Sequence, residues 1–376
     1  KSEGSINQGS LHKILRCFTR YYHDFGQKKG EYTLSTVRSE KQVRTIALHI
    51  FEAAGVSRAR AETLANCLVE ADLMGISSHG VIRIPVYVRR ILEGLTEIHA
   101  EIGPIREHPA TALLDGKNVI GQVAGGQAMT LAIQKAAQCG VGCVGLRGTN
   151  HFGTCGHYAA MAAKQNMIGF AFVNTTPLVA VHGGTHKAVG NNPLAIAIPA
   201  GTHDDLLLDM ACSVAQGKIE VLQKKGMEIP AGWAVDENGQ PTTDAAKALR
   251  GVLLPIAGPK GSGLAICIDV LCGILTGSGV GNEIRHLNDP APQNLGALFL
   301  AIDISKFEDT AFFKQRVDGY IDYLKKTADP GETILMPGEI AACTMRERMQ
   351  SGIPLPEAVV DDLNALAERL GVAERL

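Results

Sequence analysis

Three side chains that can handle protons and carboxylates recur at intervals of four in the first third of the chain. His79 is followed by Arg83 and then by Tyr87. On a helix with about 3.6 residues per turn, this spacing puts the imidazole, the guanidinium and the phenol on one face. Such a face could transfer a proton, bind a carboxylate and orient a substrate. It could equally be a solvated helix face that Ser77 or Ser78 caps.

A second polar cluster follows the apolar segment 141–146. The loop after this segment contains Asn150, His151 and Thr154 among several glycines. Polar loops that follow strands lie at the sheet edge, where α/β proteins commonly bind ligands. His151 is therefore a candidate for a second acid/base group or for a contact to a bound cofactor. The alternative is a loop histidine that has no partner.

The sequence has one G-x-G-x-x-G pattern, formed by Gly140, Gly142 and Gly145. This pattern indicates a dinucleotide loop only when a strand precedes it and a helix follows it. Here the order is reversed, because a helical pattern at 126–138 comes before it and a strand pattern at 141–146 overlaps it. We therefore predict that Gly140 ends a helix and that the pattern does not form a Rossmann loop.

Two charged residues stand at the predicted ends of elements. Lys260 lies between glycines just before the apolar run 264–275, where free backbone amides and a lysine would suit a phosphate. Asp209 follows the apolar run 206–208 and could face a ligand or cap the next turn. The Walker, H-E-x-x-H and G-x-S-x-G patterns do not occur in the sequence. We therefore predict neither a metal site nor serine hydrolysis.

The composition is typical of a globular α/β enzyme. The 376 residues carry 36 basic and 38 acidic side chains, a balance that argues against nucleic-acid binding. The cysteines number nine and include no Cys-x-x-Cys pair, which is typical of reduced thiols and favours a cytoplasmic location. The apolar stretch 263–275 is too short to cross a membrane and contains Asp269.

The hydrophobic periodicity predicts a sheet-containing domain inserted between two helical segments. Residues 1–35 form an N-terminal arm in this prediction, and residues 36–112 have the apolar spacing of helices. From 113 to 306, short apolar segments alternate with glycines, as in strands separated by turns. Residues 307–376 return to helical spacing, and we expect them to pack on the first helical segment.

Six short segments follow one another along the chain in a recognisable order. They are Ser78-His79-Gly80 with Arg83, Asn150-His151-Phe152-Gly153, Gly190–Ala195, Asp209-Met210-Ala211, Gly258–Gly261 with Gly263, and Pro337-Gly338-Glu339. Together they resemble the type-2 malate/L-lactate dehydrogenase family, which also includes ureidoglycolate, sulfolactate and diketogulonate dehydrogenases or reductases and piperideine-carboxylate reductase. The resemblance extends from about residue 36 to about residue 372 and leaves residues 1–34 outside.

The resemblance implies an oxidoreductase that moves a hydride between NAD(P) and a small 2-hydroxy or 2-oxo acid. Members bind the nicotinamide cofactor in a non-Rossmann domain with an unusual sheet. They are typically homodimers with the active site between domains. The resemblance assigns proton transfer to His79, with Ser78 beside it, carboxylate binding to Arg83 and a place nearby to Tyr87. In part of the family the histidine that matches His151 has the acid/base role, so both histidines are candidates.

The resemblance also implies a set of cofactor contacts. The matching positions are Thr175, Asp209, Met210, Ala211, Lys260, Asn294, Gly338, Glu339 and Ile340. We expect NAD as the cofactor, with NADP as the alternative. Residues 36–112 would provide the substrate and dimerisation domain, and residues 113–306 the NAD(P)-binding domain. Two other functions remain open, a reductase of cyclic 2-carboxy imines and a non-catalytic dinucleotide-binding protein.

Overall fold

The computed structural model describes residues 35–214, 216–224 and 226–376. The N-terminal arm predicted for residues 1–35 lies outside these ranges except for its last residue, which begins a strand. Within the described ranges, none of the helices has the length and the apolar composition that a membrane crossing needs.

Helices and short strands alternate along the described chain. The α-helices are α1 (Glu40–Ala53), α2 (Arg58–Leu73), α3 (Ile84–Leu92), α4 (Gly121–Cys139), α5 (Cys155–Ala163), α6 (Gln216–Lys224), α7 (Ala245–Arg250), α8 (Pro259–Asp269), α9 (Thr310–Lys326), α10 (Glu339–Ser351) and α11 (Glu357–Arg369). The strands are β1 (Ser35–Arg38), β2 (Gly103–Glu107), β3 (Thr111–Asp115), β4 (Val141–Thr149), β5 (Met167–Val173), β6 (Leu194–Ile198), β7 (Leu206–Met210), β8 (Ala234–Val235), β9 (Pro241–Thr242), β10 (Val252–Leu253), β11 (Leu295–Asp303) and β12 (Ile353–Pro356). Strands β2 to β11 all lie between α3 and α9, so the middle of the chain forms the main sheet.

The main sheet has seven strands in the order β2-β3-β4-β11-β5-β6-β7. Strands β3 and β4 run parallel, and the other neighbouring pairs are antiparallel. The prediction of an α/β fold with a central sheet is confirmed. The sheet begins at Gly103 rather than at 113, because β2 is an exposed edge strand that contains Pro104 and lacks apolar alternation. The helical prediction for residues 36–112 is therefore wrong over β1 and β2.

The two ends of the described chain share one hydrophobic core. Phe51 and Leu68 from α1 and α2 are fully buried against Ile353 and Leu363 from β12 and α11. Strand β1 pairs antiparallel with β12, which joins the same two ends through backbone hydrogen bonds. Apolar burial on this scale is the main source of folding free energy, so the N- and C-terminal elements depend on each other.

Helix α9 packs differently from the rest of the C-terminal segment. The Asp318 carboxylate accepts the backbone N–H groups of Gly201 and Thr202, at 3.0 and 2.7 Å, and this holds α9 against the turn between β6 and β7. Helix α10 instead contacts α2, where the Arg348 guanidinium donates to the backbone oxygen of Asp72. Thus only part of the segment 307–376 lies on the N-terminal helices.

The G-x-G-x-x-G pattern serves helix–strand packing. Gly140 ends α4 in a left-handed conformation with φ of 87°, as predicted. Gly142, in β4, lies against α4, and a Cβ atom at this position would lie 1.9 Å from the backbone oxygen of Ala132. The glycine at this position therefore allows α4 to approach β4 closely.

The turn that carries His79 and Arg83 is not one regular helix. After α2, the 3-10 turns Ser77–His79 and Val81–Arg83 are separated by Gly80, whose backbone is extended. The Asp72 carboxylate accepts the N–H group of Val81 at 2.7 Å. A Cβ at Gly80 would lie 2.1 Å from that carboxylate, so only glycine fits there. The prediction that His79, Arg83 and Tyr87 share one helical face is therefore wrong, because the buried carboxylate breaks the helix between them.

Asp72 is a buried acid that interacts with few opposing charges. Its side chain is 2% exposed. Burial raises the pKa of Asp72 to about 7, although the Val81 N–H bond and the charge of Arg348 act in the opposite direction. The folded protein therefore binds a proton at Asp72 over a pH range in which the unfolded chain has already released it.

This pKa predicts a pH-dependent stability. Because the folded-state pKa lies above the unfolded value near 4, the contribution of Asp72 to the free energy of unfolding should fall as the pH rises from about 4 to about 7. This contribution should not change further above that range. Asp72→Asn keeps an oxygen for the Val81 N–H group but does not titrate. We expect Asp72→Asn to reduce the pH slope by at most about 1.4 kcal/mol per pH unit, the limit for one proton.

Urea unfolding of both proteins between pH 4 and pH 8 measures this difference. Asp361→Asn, on the exposed side of α11, is the matched control and should leave the slope unchanged. Equal slopes for the wild type and Asp72→Asn would contradict the prediction.

Candidate active site

Five of the predicted site residues line one cavity of about 1000 Å³. They are Ser78, His79, Arg83, His151 and Thr175. The first three come from the turn after α2, and the other two follow strands β4 and β5 of the main sheet. The cavity therefore lies between the helical layer and the sheet, and its volume is at the upper end of the range for small-molecule sites.

The two candidate histidines lie against each other. Their ring centroids are 5.5 Å apart and their planes differ by 19°. The Ser78 hydroxyl lies 2.9 Å from Nδ1 of His79, and the side-chain oxygen of Gln293 accepts the backbone N–H of His151 at 2.9 Å. Both imidazoles are thus fixed beside one another although they are 72 positions apart in the sequence.

Tyr87 fixes the protonation pattern of His151. Its hydroxyl lies 2.6 Å from Nδ1 of His151, and the amide of Gln122 donates to the Tyr87 oxygen at 3.2 Å. The backbone N–H of Gly153 also donates to Nδ1, at 3.4 Å. Since the surrounding groups donate toward Nδ1, the network assigns the neutral ring proton to Nε2. The alternative of a loop histidine without a partner is therefore wrong.

The electrostatic surroundings keep both histidines neutral. Burial, followed by the charge of Arg83, lowers the pKa of His79 to about 4. Burial also lowers the pKa of His151 well below its usual value, and positive charge on His79, Arg83 and His286 acts in the same direction. At neutral pH the two imidazoles are consequently a proton acceptor and a hydrogen-bond donor without net charge.

Arg83 presents a positive charge that is not paired with an acid. Its Nε donates to the backbone oxygen of Ser78 at 2.7 Å, and none of the ion pairs within the described ranges includes it. A guanidinium held by one nitrogen retains donors for a planar carboxylate. The cavity therefore favours an anionic ligand beside the histidines.

Thr175 belongs to a neutral part of the cavity wall. Its hydroxyl donates to the side-chain oxygen of Asn191 at 2.6 Å, and its N–H donates to that of Asn192 at 2.9 Å. Asn192 is fully buried and also donates to the backbone oxygen of Ala265, which fixes its orientation. Together with the apolar Val173, these residues form a surface suited to an uncharged ring with an amide.

The remaining predicted cofactor residues do not line this cavity. Asp209, in β7, accepts the N–H of Gly156 at 2.7 Å and so caps helix α5 rather than its own turn. Met210 ends β7 and Ala211 follows it, beside the cavity residue Asn191, whose backbone oxygen accepts the N–H of Cys212. These three positions lie next to the cavity wall rather than in it.

The other predicted positions also lie outside the lining of this cavity. Lys260 is exposed at the second position of α8, and Asn294 has a φ of 59° just before β11. Gly338, with φ of 88°, packs on Leu207 of β7 at the start of α10. Glu339 pairs with Lys325 at 2.7 Å, and Ile340 follows it in α10. These contacts within the protein account for the positions of Gly338 and Glu339.

The sequence prediction missed several cavity residues, and five of them carry an amine, indole, imidazole or amide side chain. They are Lys218, Trp233, His286, Asn288 and Gln293. His286, Asn288 and Gln293 precede β11, and the rule that polar loops beside strands form sites could have found them. Lys218 and Trp233 come from α6 and from the residue before β8, and no spacing in the sequence places that region over the cavity.

A buried arginine positions the loop that carries two of these residues. Arg90, on α3, is 1% exposed and donates to the backbone oxygens of Leu287, Asp289 and Ala291 at 3.1, 3.0 and 2.8 Å. The loop 286–291 is thereby attached to the helix that also carries Tyr87. Within the described ranges, no group of three or more histidine, cysteine, aspartate or glutamate side chains is arranged to hold a metal ion.

Comparison with known proteins places the whole described fold in one family. The family model of malate/L-lactate dehydrogenase matches residues 39–364. A malate/(S)-sulfolactate dehydrogenase from Methanothermus fervidus is 39% identical over 336 residues, which cover 89% of this chain and 98% of the relative. A (2R)-3-sulfolactate dehydrogenase (NADP+) from Chromohalobacter salexigens is 32% identical over 340 residues, covering 89% and 99%.

A solved structure gives the same result at the level of the fold. Sulfolactate dehydrogenase from Methanocaldococcus jannaschii superimposes with a TM-score of 0.85 and 39% sequence identity, covering 90% of this chain and 98% of that one. The matched region contains the turn after α2, the loop after β4 and the main sheet. The chain therefore belongs to the malate/L-lactate dehydrogenase family.

Proposed function

We propose that this protein is an NAD(P)-dependent oxidoreductase that transfers a hydride to or from carbon 2 of a small 2-hydroxy or 2-oxo acid of the malate/lactate type. The observation that carries the proposal is the presence of His79, Arg83 and His151 on one cavity wall. Such a substrate has a carboxylate that can bind the guanidinium. It also has a hydroxyl or carbonyl oxygen at carbon 2 that can exchange a proton with an imidazole.

The cavity fits a nicotinamide next to the substrate. Val173, Thr175, Asn191 and Pro193 give one wall apolar surface and neutral amide and hydroxyl groups, a combination that suits an uncharged ring bearing a carboxamide. Bound there, NAD(P) supplies the hydride chemistry. We propose that the rest of the dinucleotide contacts the outer positions of the predicted set, Asp209, Met210, Ala211, Lys260, Asn294, Gly338, Glu339 and Ile340. We propose NAD, with NADP as the alternative.

Arg83 orients the substrate. Its Nε bond to the Ser78 backbone fixes the guanidinium, and the free nitrogens bind the C1 carboxylate in two parallel hydrogen bonds. Fixing the carboxylate fixes the adjacent carbon 2 and its oxygen relative to the two imidazoles. Orientation of this kind removes much of the entropic barrier of a reaction between separate molecules.

His79 acts as the acid/base in this proposal, and His151 is the alternative. The low pKa of His79 leaves its imidazole neutral, so it can take the proton of a substrate hydroxyl during oxidation. His151, with its proton on Nε2, can donate a hydrogen bond to the same oxygen, and Tyr87 stabilises that tautomer.

Substrate tests address the proposal directly. We expect oxidation of NADH or NADPH in the presence of 2-oxo acids, and a preference for those with a second acidic group, because Lys218 adds positive charge to the cavity wall. The measurement is absorbance of the reduced cofactor with pyruvate, oxaloacetate, a sulfonated 2-oxo acid and a cyclic 2-carboxy imine.

A matched pair of variants controls that panel. Arg83→Lys should raise the KM of every carboxylate substrate, whereas Arg106→Lys, at an exposed position on β2, should not. Reduction of the cyclic imine alone would identify an imine reductase. Binding of the cofactor without turnover of any substrate would identify a non-catalytic protein.

Variants of the two histidines separate their roles. We expect His79→Ala to lower kcat at least about a hundredfold, since a positioned acid/base group contributes that much or more, while cofactor affinity stays nearly unchanged. The kcat/KM for oxidation should fall only as the pH drops toward the His79 pKa of about 4, because the base must be unprotonated. Steady-state kinetics with His79→Ala, His151→Ala and the wild type tests both statements.

The outcomes of these kinetics differ for the two candidates. An unchanged kcat in His79→Ala with a large loss in His151→Ala would assign the acid/base role to His151. In that case Tyr87→Phe should also lower kcat, since it removes the hydrogen bond to Nδ1 of His151.

We also propose a homodimer that forms through the outer face of α8. Ile266, Val270 and Ile274 recur at intervals of four from α8 through the π-helical turn Val270–Ile274, and they are exposed by 45% to 64%. Side chains at this spacing share one helical face, and an apolar face of this kind can meet its own copy about a two-fold axis.

Charge inserted in that face should separate the copies. We expect a dimeric wild type and a monomeric Ile274→Asp by sedimentation velocity, because the substitution would bury unpaired carboxylates in the contact. Ile105→Asp, at a comparably exposed position on β2, is the control and should leave the mass unchanged. A monomeric wild type would contradict the proposal.

The domain division follows from the same proposal. Because the proposed dimer contact lies on α8, residues 36–112 and parts of 307–376 would provide the substrate domain without the dimer contact, and the non-Rossmann sheet within 113–306 would bind the nicotinamide dinucleotide. The unpaired thiols of the described cysteines support a reducing compartment such as the cytoplasm as the place of action.

A further inference from the structure

A cysteine, a histidine and a glutamate form a hydrogen-bonded series that is not part of the cavity wall. Nε2 of His157 lies 3.3 Å from Sγ of Cys67, and Nδ1 of the same ring is hydrogen-bonded to the Glu70 carboxylate. Cys67 and Glu70 are three residues apart on α2 and therefore share one face. His157 lies in the first turn of α5, so the series joins the helical layer to the layer on the sheet.

The order of these groups is the one that activates a thiol. A carboxylate bound to one ring nitrogen stabilises the imidazolium, and the other ring nitrogen donates to sulfur. Although burial opposes the charged form, the bonds to Cys67 and Glu70 raise the pKa of His157 to about 10. An imidazolium N–H therefore faces Sγ of Cys67.

Cys67 differs from the other cysteines of the described ranges in this environment. The buried Cys155 and Cys212 donate to the backbone oxygens of Pro193 and Asn192, and burial raises the pKa of both thiols. Cys139 is exposed. Cys67 is thus the one with a histidine partner among the described cysteines.

The cluster is close to the surface. Cys67 is 8% exposed, while the side chains of His157 and Glu70 retain 21% and 18% of their exposure. A small, uncharged reagent can reach the sulfur along these two side chains after a small displacement, whereas a bulky reagent requires the helices to separate.

The cluster adjoins the candidate active site through the core around Tyr87. Tyr87 packs in the same hydrophobic core as Leu64 and Leu68, which flank Cys67 on α2. Burial raises the pKa of Tyr87, and charge on Cys67 acts in the same direction. The hydroxyl of Tyr87 is the group that binds Nδ1 of His151. Extra atoms on Cys67 would have to displace α2 or Tyr87, because both are packed in the hydrophobic core.

We propose that Cys67 is a modification site, an activated thiol that reacts with peroxides, and that its oxidation lowers catalytic activity by disturbing the Tyr87–His151 contact. After its proton has passed to solvent, Cys67 attacks as the thiolate on one oxygen of hydrogen peroxide, and an S–O bond forms while the O–O bond breaks. The other oxygen leaves as hydroxide and takes a proton from the His157 imidazolium to form water. Cys67 is oxidised to a sulfenic acid and the peroxide is reduced.

The first test measures the chemistry at the sulfur without using enzyme activity. The full-length protein is treated with hydrogen peroxide and dimedone, and the labelled peptides are quantified by mass spectrometry. We expect Cys67 to be labelled at least about tenfold faster than the exposed Cys139, and His157→Gln and Glu70→Gln to reduce that rate by a similar factor. Circular dichroism of both variants establishes that they are folded.

Two outcomes of this labelling experiment would contradict the proposed reactivity of Cys67. Labelling of Cys67 no faster than Cys139 would overturn the proposal, and so would a fast rate that both variants leave unchanged. Using two variants guards against the case in which one of them does not fold.

The second test measures the consequence and rests on the proposed dehydrogenase activity. Peroxide should lower kcat of the wild type in proportion to labelling of Cys67, and dithiothreitol should restore it. Cys67→Ser should have near-normal basal activity and resist peroxide. If the wild type is labelled at Cys67 and remains fully active, the effect on catalysis is refuted. If no dehydrogenase activity is found at all, the labelling result still decides the reactivity of the thiol.

Discussion

The hydrogen bond between Tyr87 and His151 is the contact on which the candidate site depends. Tyr87 belongs to α3 in the helical layer, and His151 belongs to the loop that follows β4 of the sheet. Gly121, at the start of α4, supports this junction, because a Cβ there would lie 2.3 Å from the backbone oxygen of Asn150. The protonation pattern of His151 therefore results from the packing of two layers rather than from local sequence.

Much of this site could be inferred from residue types, because catalysis limits the choice of side chains more than folding does. His79, Arg83, His151 and Thr175 are polar residues of the cavity wall. Each of them lies in a short segment whose residue types can be read directly from the sequence. Gly140 was equally predictable, since a helix that must end before a strand commonly ends at a left-handed glycine. Spacing and chemistry made His79, Arg83, His151 and Gly140 candidates, whereas Thr175 came only from the family resemblance.

The rest could not be read from the sequence, because it depends on contacts between distant segments. The shape of the turn at Gly80 follows from the carboxylate of Asp72, which looks like an ordinary polar residue at a helix end. Lys218 and Trp233 line the cavity because the segment that contains α6 and β8 packs beside it. Arg90 binds the loop 286–291 although Arg90 and Leu287 are 197 residues apart in the sequence. The prediction that His79, Arg83 and Tyr87 share one helical face was wrong for a similar reason. Sequence periodicity does not reveal the buried carboxylate of Asp72 that interrupts the helix.

The same packing couples ligand binding to protonation. In the free site, the charge of Arg83 is one of the causes that lower the pKa of His79, and burial is the larger cause. A substrate carboxylate on the guanidinium would cancel that charge while leaving the burial in place, so the His79 imidazole would become a better proton acceptor once substrate is bound. In the proposed function, binding of the substrate carboxylate to Arg83 would thus raise the pKa of His79. Because the two side chains are fixed by Ser78 and by the Asp72 turn, this coupling depends on the fold as much as on the two residues.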